Sequence, residues 1–461
     1  MLPFRPRWPD RIGVIVAIAG MGLGMLLCRP EASWPVGPAL VSWLVALLVV
    51  AIPFAVLELG TGAIYQDSLA ESCRKASKPA EVVGWLAAGT ALVAMVLITL
   101  TAGRIGEAAY DSLLAAIGDQ PSPWVADADK LVAPHAGGGL LAVAAVLGLA
   151  QFRLWRGASA IAKSSALLTV VGGTGLMLIS GVLLLHPGAM DGLVRLLAPG
   201  PAGWQVLATP EPWVAAFTTV LVGWGIGTGA LTAYGSYLNR SSDAIGIAVI
   251  AILVGSSGQV LLMAAVSVGS GVIFAGRPSD GGIDAVAAAL ANVGLPAWWA
   301  GVLLTVWFSA LLALLIPALL AMAEAVVAPL VDKFRVPRER VVPAIGLGLF
   351  FLAALLHGKQ DATTWCVQGL VWSMAISAMA QALVSWRAIK LDAVARHLNA
   401  YSAFRLRLGW RSAVALVVPL SALGLLAWMV LAGRDSILAG AILAAGLALV
   451  AVVAARLPGR G

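Results

Sequence analysis

Long apolar runs alternate with short polar connections along this chain. A helix needs about 20 mostly apolar residues to cross a bilayer. Runs near that length lie at 11–29, 37–60, 82–115, 137–152, 161–186, 213–237, 244–275, 297–328, 341–357, 362–386, 412–432 and 436–455. Open strands could not satisfy their backbone groups in lipid, so each run predicts a helix. The predicted fold class is an all-α polytopic membrane protein with twelve transmembrane helices.

Composition agrees. Of 461 residues, 61% are hydrophobic and 11% charged, whereas soluble domains carry about 25% charged residues. Mean hydropathy is +0.95. Cys28, Cys73 and Cys366 form no CxxC pair, which argues against a disulfide framework or a zinc site. No cofactor is implied. The net charge of +7 would suggest nucleic acid, but its location excludes that partner. With the N-terminus inside, 22 of the 29 basic residues fall in cytoplasmic segments. They cluster at Arg74, Lys75 and Lys78, at Lys333, Arg335, Arg338 and Arg340, and at Arg387, Lys390, Arg396, Arg405, Arg407 and Arg411. That bias predicts a multi-pass protein of the bacterial inner (plasma) membrane with both termini in the cytoplasm. The lipid bilayer is its first partner. Arg5, Arg7 and Arg11 lead into an apolar segment with no small-residue cleavage site, which reads as a retained first helix.

Two of the predicted helices share an oddity. The first contains Gly20-Met21-Gly22-Leu23-Gly24, and the sixth contains Gly223-Trp224-Gly225-Ile226-Gly227-Thr228-Gly229. Each interior glycine costs a helix about 1 kcal/mol relative to alanine, so alternating glycines can break it. Unwound backbone in a membrane is tolerated only where protein or a cavity covers it. Paired broken helices in two halves point to a transporter binding site. Five spans separate the two starts, and an odd number inverts the second copy. The alternative is a face of small residues for helix packing. The expected organisation is a 5+5 inverted repeat over 1–186 and 187–386, followed by two accessory helices in 387–461. Helices 1 and 6 are expected to unwind near Gly22–Gly24 and Gly223–Gly227.

The same residues resemble the neurotransmitter:sodium symporter family. The opening from Arg11 to Gly20, then Arg29-Pro30, is similar to that family's first helix; Ile52-Pro53 with Glu58 is similar to its second. Pro212-Trp213-Val214-Ala215-Ala216 through Tyr234-Gly235-Ser236-Tyr237 resembles its sixth helix without a gap, and 328–342 the end of its eighth. The resemblance implies a LeuT-like fold and a central site between helices 1, 3, 6, 7 and 8. It also implies two sodium sites, but this chain departs from the family there. Met25, Gly223, Gly255 and Pro317-Ala318 stand where the family's side-chain ligands fall, and Ile98 stands at its substrate-contacting tyrosine. A hard cation needs several oxygen ligands, so no sodium site of the family type is expected. The family's outer gate implies a contact between Arg29 and Asp361, although the alignment through Trp365 places Thr363 at the family's aspartate.

The emptied pocket predicts a substrate. Its expected lining is Gly20, Met21, Gly22, Leu23, Gly24, Met25, Ile98, Val222, Gly223, Trp224, Gly225, Thr228 and Gly255. That lining is apolar, and free N–H groups at half-helix ends attract anions. The expected function is secondary active transport of a small, partly apolar organic anion or zwitterion by alternating access. Two alternatives stand beside it. Met21, Met25, Cys28 and Cys366 could carry Cu(I), or the methionines could simply fill the core. The chain could also be a non-transporting subunit, sensor or scaffold with a membrane-protein partner. No enzyme is implied, because His135, His186, His357 and His397 lie far apart at helix ends or in loops, with no nucleophile–base spacing. Among residues within the spans, Glu324 is the candidate proton carrier. Glu58 is expected at the inner end of helix 2, and Arg104 and Glu107 as a local pair.

Overall fold

In the computed structural model, residues 7–8, 10–28, 37–118, 138–186, 188–197, 204–274, 283–292, 294–357, 359–431 and 437–459 are described. Each predicted run coincides with helix among the described residues, apart from an interruption in the sixth. The helices are α1 (Arg11–Leu26), α2 (Ala39–Tyr65), α3 (Glu81–Gly118), α4 (Gly138–Trp155) and α5 (Ala158–Leu184). Then follow α6a (Glu211–Gly223), α6b (Ala230–Gly235), α7 (Ala244–Phe274), α8 (Ala297–Phe334) and α9 (Arg338–Leu356). The last are α10 (Gln360–Val384), α11 (Leu408–Leu431) and α12 (Ile437–Arg456). Eight of these are long and apolar enough to cross a membrane; α1, α4 and α12 are shorter apolar helices. The sixth predicted span is two pieces. Strands are absent among the described residues.

Proline explains two local irregularities. α2 contains a wide π turn at Leu47–Ala51 just before Pro53, and α11 contains one at Ala413–Val417 just before Pro419. A proline ring lacks the N–H and clashes with the carbonyl four residues back. One extra residue in the preceding turn moves that carbonyl aside.

α8 is the central post. It spans 38 residues, most of them buried, and packs against α3, α5 and α1. Without a hydrophobic drive between helices in lipid, association rests on close van der Waals packing of small residues. That packing corrects one expectation. α1 is a continuous helix through Gly20, Gly22 and Gly24, not an unwound segment. A Cβ on Gly24 would lie 2.2 Å from the Leu314 carbonyl oxygen, and one on Gly20 3.0 Å from Pro317 Cβ. The glycines let α1 press on α8, and the closer packing outweighs their helix penalty. The packing-face alternative therefore holds for α1. α6 does break, as expected.

The close approach is testable by melting the detergent-solubilised protein. Gly24→Ala should destabilise it by about 1–3 kcal/mol, the usual cost of overpacking. Gly148→Ala, where a Cβ meets nothing within 4 Å, should leave the midpoint unchanged or slightly higher.

Candidate functional site

The interruption of α6 runs from Trp224 to Gly229. Gly225, Gly227 and Gly229 take φ of 58°, 86° and 73°. Only glycine enters that region without strain, so the alternating glycines of this run are required by the chain path. An unwound segment in an apolar interior must find partners for its backbone groups. Backbone turns take the amides of Trp224, Gly225, Ile226 and Thr228, and three side chains from neighbouring helices serve the Gly227 carbonyl and the Gly229 amide. Ser377 Oγ and Gln381 Nε2 of α10 donate to the Gly227 carbonyl at 2.6 and 2.9 Å. The Gly229 amide donates to Glu58 Oε1 at 3.1 Å. The Thr228 hydroxyl closes the turn on the Gly225 carbonyl at 2.6 Å.

Glu58 reaches the break because α2 and α6b cross backbone to backbone. A Cβ on Gly62 would lie 2.1 Å from the Thr232 carbonyl oxygen, and one on Gly235 2.2 Å from that of Leu59. Glu58 is 2% exposed. It is a buried partner of the break, where the sequence placed it at a helix end. Its carboxylate already occupies the start of α6b, the end expected to draw a substrate anion.

The expected lining residues are all buried, but they do not all face one space. Gly22, Trp224 and Gly255 meet. The Trp224 ring fills the gap between α1 and α7, 2.5 Å from the place of a Cβ on Gly22 and 2.4 Å from that of one on Gly255. Its indole N–H has no hydrogen-bond partner among the described residues. Gln259 Nε2 donates to the Gly22 carbonyl at 2.8 Å and passes Gly223. Met322 of α8 abuts Gly225, and Leu23 packs on Gly258. Gly20 and Gly24 face α5 and α8 instead. Met21, Met25, Ile98 and Val222 are core residues. Cys28 Sγ contacts the Gly24 carbonyl oxygen at 3.7 Å. Arg29 and the side chain of Asp361 lie outside the described residues.

A second polar cluster closes one end of the bundle. The Tyr237 hydroxyl donates to Glu324 Oε1, and Arg338 grips both carboxylate oxygens, with Nη1 at 2.8 Å from Oε1. Arg338 Nε also donates to the Leu154 carbonyl at 2.7 Å, at the end of α4. The Trp8 indole donates to the Tyr234 carbonyl at 2.8 Å and sets its ring edge-on to Tyr234 and Tyr237. Nearby, Lys333 Nζ donates to Glu81 at 2.7 Å and to the last carbonyls of α12, those of Ala454 and Ala455, at 2.7 and 2.9 Å. These contacts gather the basic connections at one end of the molecule. Glu324 is thus bound in an ion pair, where the sequence offered it as a proton carrier.

Sequence reasoning missed Ser377 and Gln381, although two polar residues four apart in an apolar helix were a usable signal. The sequence placed Arg338 only in a basic cytoplasmic connection. Its partner lies 14 residues back, on another helix.

An interrupted helix braced from α2 and α10, beside a close-packed α1, α7 and α8, is the core of a LeuT-like membrane transporter. The sequence matches the model of the Sodium:neurotransmitter symporter family over residues 139–439, and the chain belongs to that family. It is 24% identical over 467 residues to the uncharacterized sodium-dependent transporter MJ1319 of Methanocaldococcus jannaschii, covering 90% of this chain and 88% of that one. An 80-residue stretch, 17% of this chain and 12% of the relative, is 41% identical to the sodium- and chloride-dependent creatine transporter 1 of Bos taurus. Among solved structures, that of MhsT in complex with L-phenylalanine superposes with a TM-score of 0.75 at 19% identity, covering 92% of this chain and 99% of that one.

The buried ion pair gives a second prediction. Arg338→Ala strands Glu324, which is 0% exposed, and should cost about 3 kcal/mol or more. The double variant Glu324→Leu/Arg338→Leu should recover most of that loss in the same thermal melt, because no buried charge is left unpaired.

Proposed function

We propose that this chain is a secondary transporter of a small, partly apolar organic solute that works by alternating access without the family's two sodium sites. The observation that carries the reading is Trp224. Its ring fills the space that glycines open at 22 and 255, and it stands at the edge of the α6 break. In the opening step the ring swings aside, and a solute of similar bulk takes its place. The unpartnered indole N–H then offers one donor. Because Glu58 already takes the start of α6b, apolar contact dominates recognition over charge, and a zwitterion suits the site better than a simple anion.

The sodium part of the proposal rests on the same geometry. Pro317 and Ala318 pack as apolar surfaces on Gly20 and Gly24, and Gly22's carbonyl accepts from Gln259. α1 is helical here, so its carbonyls sit in the helix ladder. A hard cation finds too few free oxygens. The proposal includes an inverted pairing of α1–α5 with α6–α10 and places the basic end in the cytoplasm, following the charge bias.

A second reading is a non-transporting subunit or sensor. The filled centre and unbroken α1 favour it.

Uptake into proteoliposomes decides between them. A panel of radiolabelled amino acids and small carboxylates would be offered with sodium, potassium and proton gradients. We expect accumulation of at least one solute that is unchanged when potassium replaces sodium. Sodium-stimulated uptake would overturn the sodium part. No uptake of any solute, together with no ligand-induced stabilisation of Trp224→Ala, would leave the second reading. That variant should itself lose about 3–5 kcal/mol from the cavity left behind, and a matching solute should restore part of it.

A further inference from the structure

α10 ends in a wide turn at Ser385–Ile389, and the chain reverses through Lys390, whose φ is 64°. The reversal starts a short helix, Leu391–Asn399, whose buried face packs on α2. Between the start of this helix and the start of α11 lies an open cavity of about 550 Å³. One side of it is basic: Lys390, Arg396 and Arg411 line it, against the single carboxylate of Asp392. The other side is apolar and faces outward, with Trp386 51% and Leu416 59% exposed. The exposed apolar surface continues along the same helices through Leu383, Leu420 and Leu423.

The charges do not balance within the protein. Asp392 pairs with Arg411. Among the described residues, Lys390 and Arg396 make no ion pair, and Arg411 Nε is buried without a hydrogen-bond partner. Three cations around one cavity repel one another unless an anion joins them. A free inorganic anion would satisfy the cations but leave the apolar wall bare. A molecule with a phosphate at one end and hydrocarbon at the other satisfies both. Tryptophan at the boundary of an apolar belt is where the headgroup level is expected, and basic pockets between membrane helices suit anionic lipid headgroups.

We propose that this cavity is a binding site for an anionic phospholipid. Lys390, Arg396 and Arg411 hold the phosphate, and the acyl chains run past Trp386 and Leu416 along α10 and α11. The lipid would tie the accessory helices to α10, the helix whose Ser377 and Gln381 brace the α6 break.

The test is a lipid titration of the purified full chain in mild detergent, read by native mass spectrometry. The probes are phosphatidylglycerol, phosphatidylcholine and inorganic phosphate. Phosphatidylglycerol should bind well and phosphatidylcholine poorly. Lys390→Gln/Arg396→Gln should weaken phosphatidylglycerol binding about 25-fold, at about fivefold per cation removed. Arg405→Gln/Arg407→Gln, which removes equal charge from the next connection, should leave it unchanged. Asp392→Asn should tighten it, because the one carboxylate in the lining is gone. Equal binding of the two lipids, or an equal loss in both double variants, would overturn the proposal. Displacement of phosphatidylglycerol by millimolar inorganic phosphate would make the cavity a free-phosphate site and overturn it as well. If Lys390→Gln/Arg396→Gln does not fold, Asp392→Asn decides alone, and unchanged binding there counts against the lipid.

Discussion

A peptide group in an apolar interior must be hydrogen-bonded, and the α6 break is where this chain meets that demand hardest. Between Trp224 and Gly229 the helix ladder gives way to turns in the middle of the bundle, and the Gly227 carbonyl and Gly229 amide take side-chain partners. Several arrangements elsewhere follow from it. α10 carries Ser377 and Gln381 one turn apart so that both reach the Gly227 carbonyl. α2 crosses α6b closely enough to set Glu58 on the Gly229 amide, and that crossing is possible only because Gly62 and Gly235 bring no side chain into it. A carboxylate, a hydroxyl and an amide from two helices thus complete the turns. Each would be costly to bury alone, and together they stabilise the break.

α1 shows the opposite use of the same residue. Its glycines remain helical and give up side-chain volume so that backbone can lie against α8 and a tryptophan ring can lie against backbone. In an environment where lipid competes equally for apolar contact, close fit is what holds helices together. The central region is accordingly dense: Gly22 and Gly255 take in Trp224, and the Gly22 carbonyl takes Gln259. One glycine pattern serves a positive-φ chain path in α6 and tight packing in α1.

The basic end is organised by ion pairs instead. Glu324 is fully buried, and its cation Arg338 also holds the end of α4. Lys333 caps α12 while pairing with Glu81 at the start of α3. Such pairs gain little over apolar packing, but breaking one partner is costly. They therefore fix which helix ends meet at this end.

The hydrophobic pattern alone determined the helices, because spanning a bilayer leaves few alternatives for a run of about 20 apolar residues. The glycine run in α6 likewise announced its break, since positive φ at Gly225, Gly227 and Gly229 is a local backbone property. The motifs around Arg11–Gly20 and Pro212–Tyr237 announced the family. Tertiary structure decided the rest. Whether Gly20, Gly22 and Gly24 break α1 depends on what lies against them, and only the positions of Leu314, Pro317 and Trp224 answer that. Whether Glu58 is interfacial or buried depends on the α2–α6b crossing. Whether Glu324 is a free acid depends on Arg338, which reaches it from another helix. Each question concerns the partner of a group, and partners brought together by folding leave no mark in the local sequence.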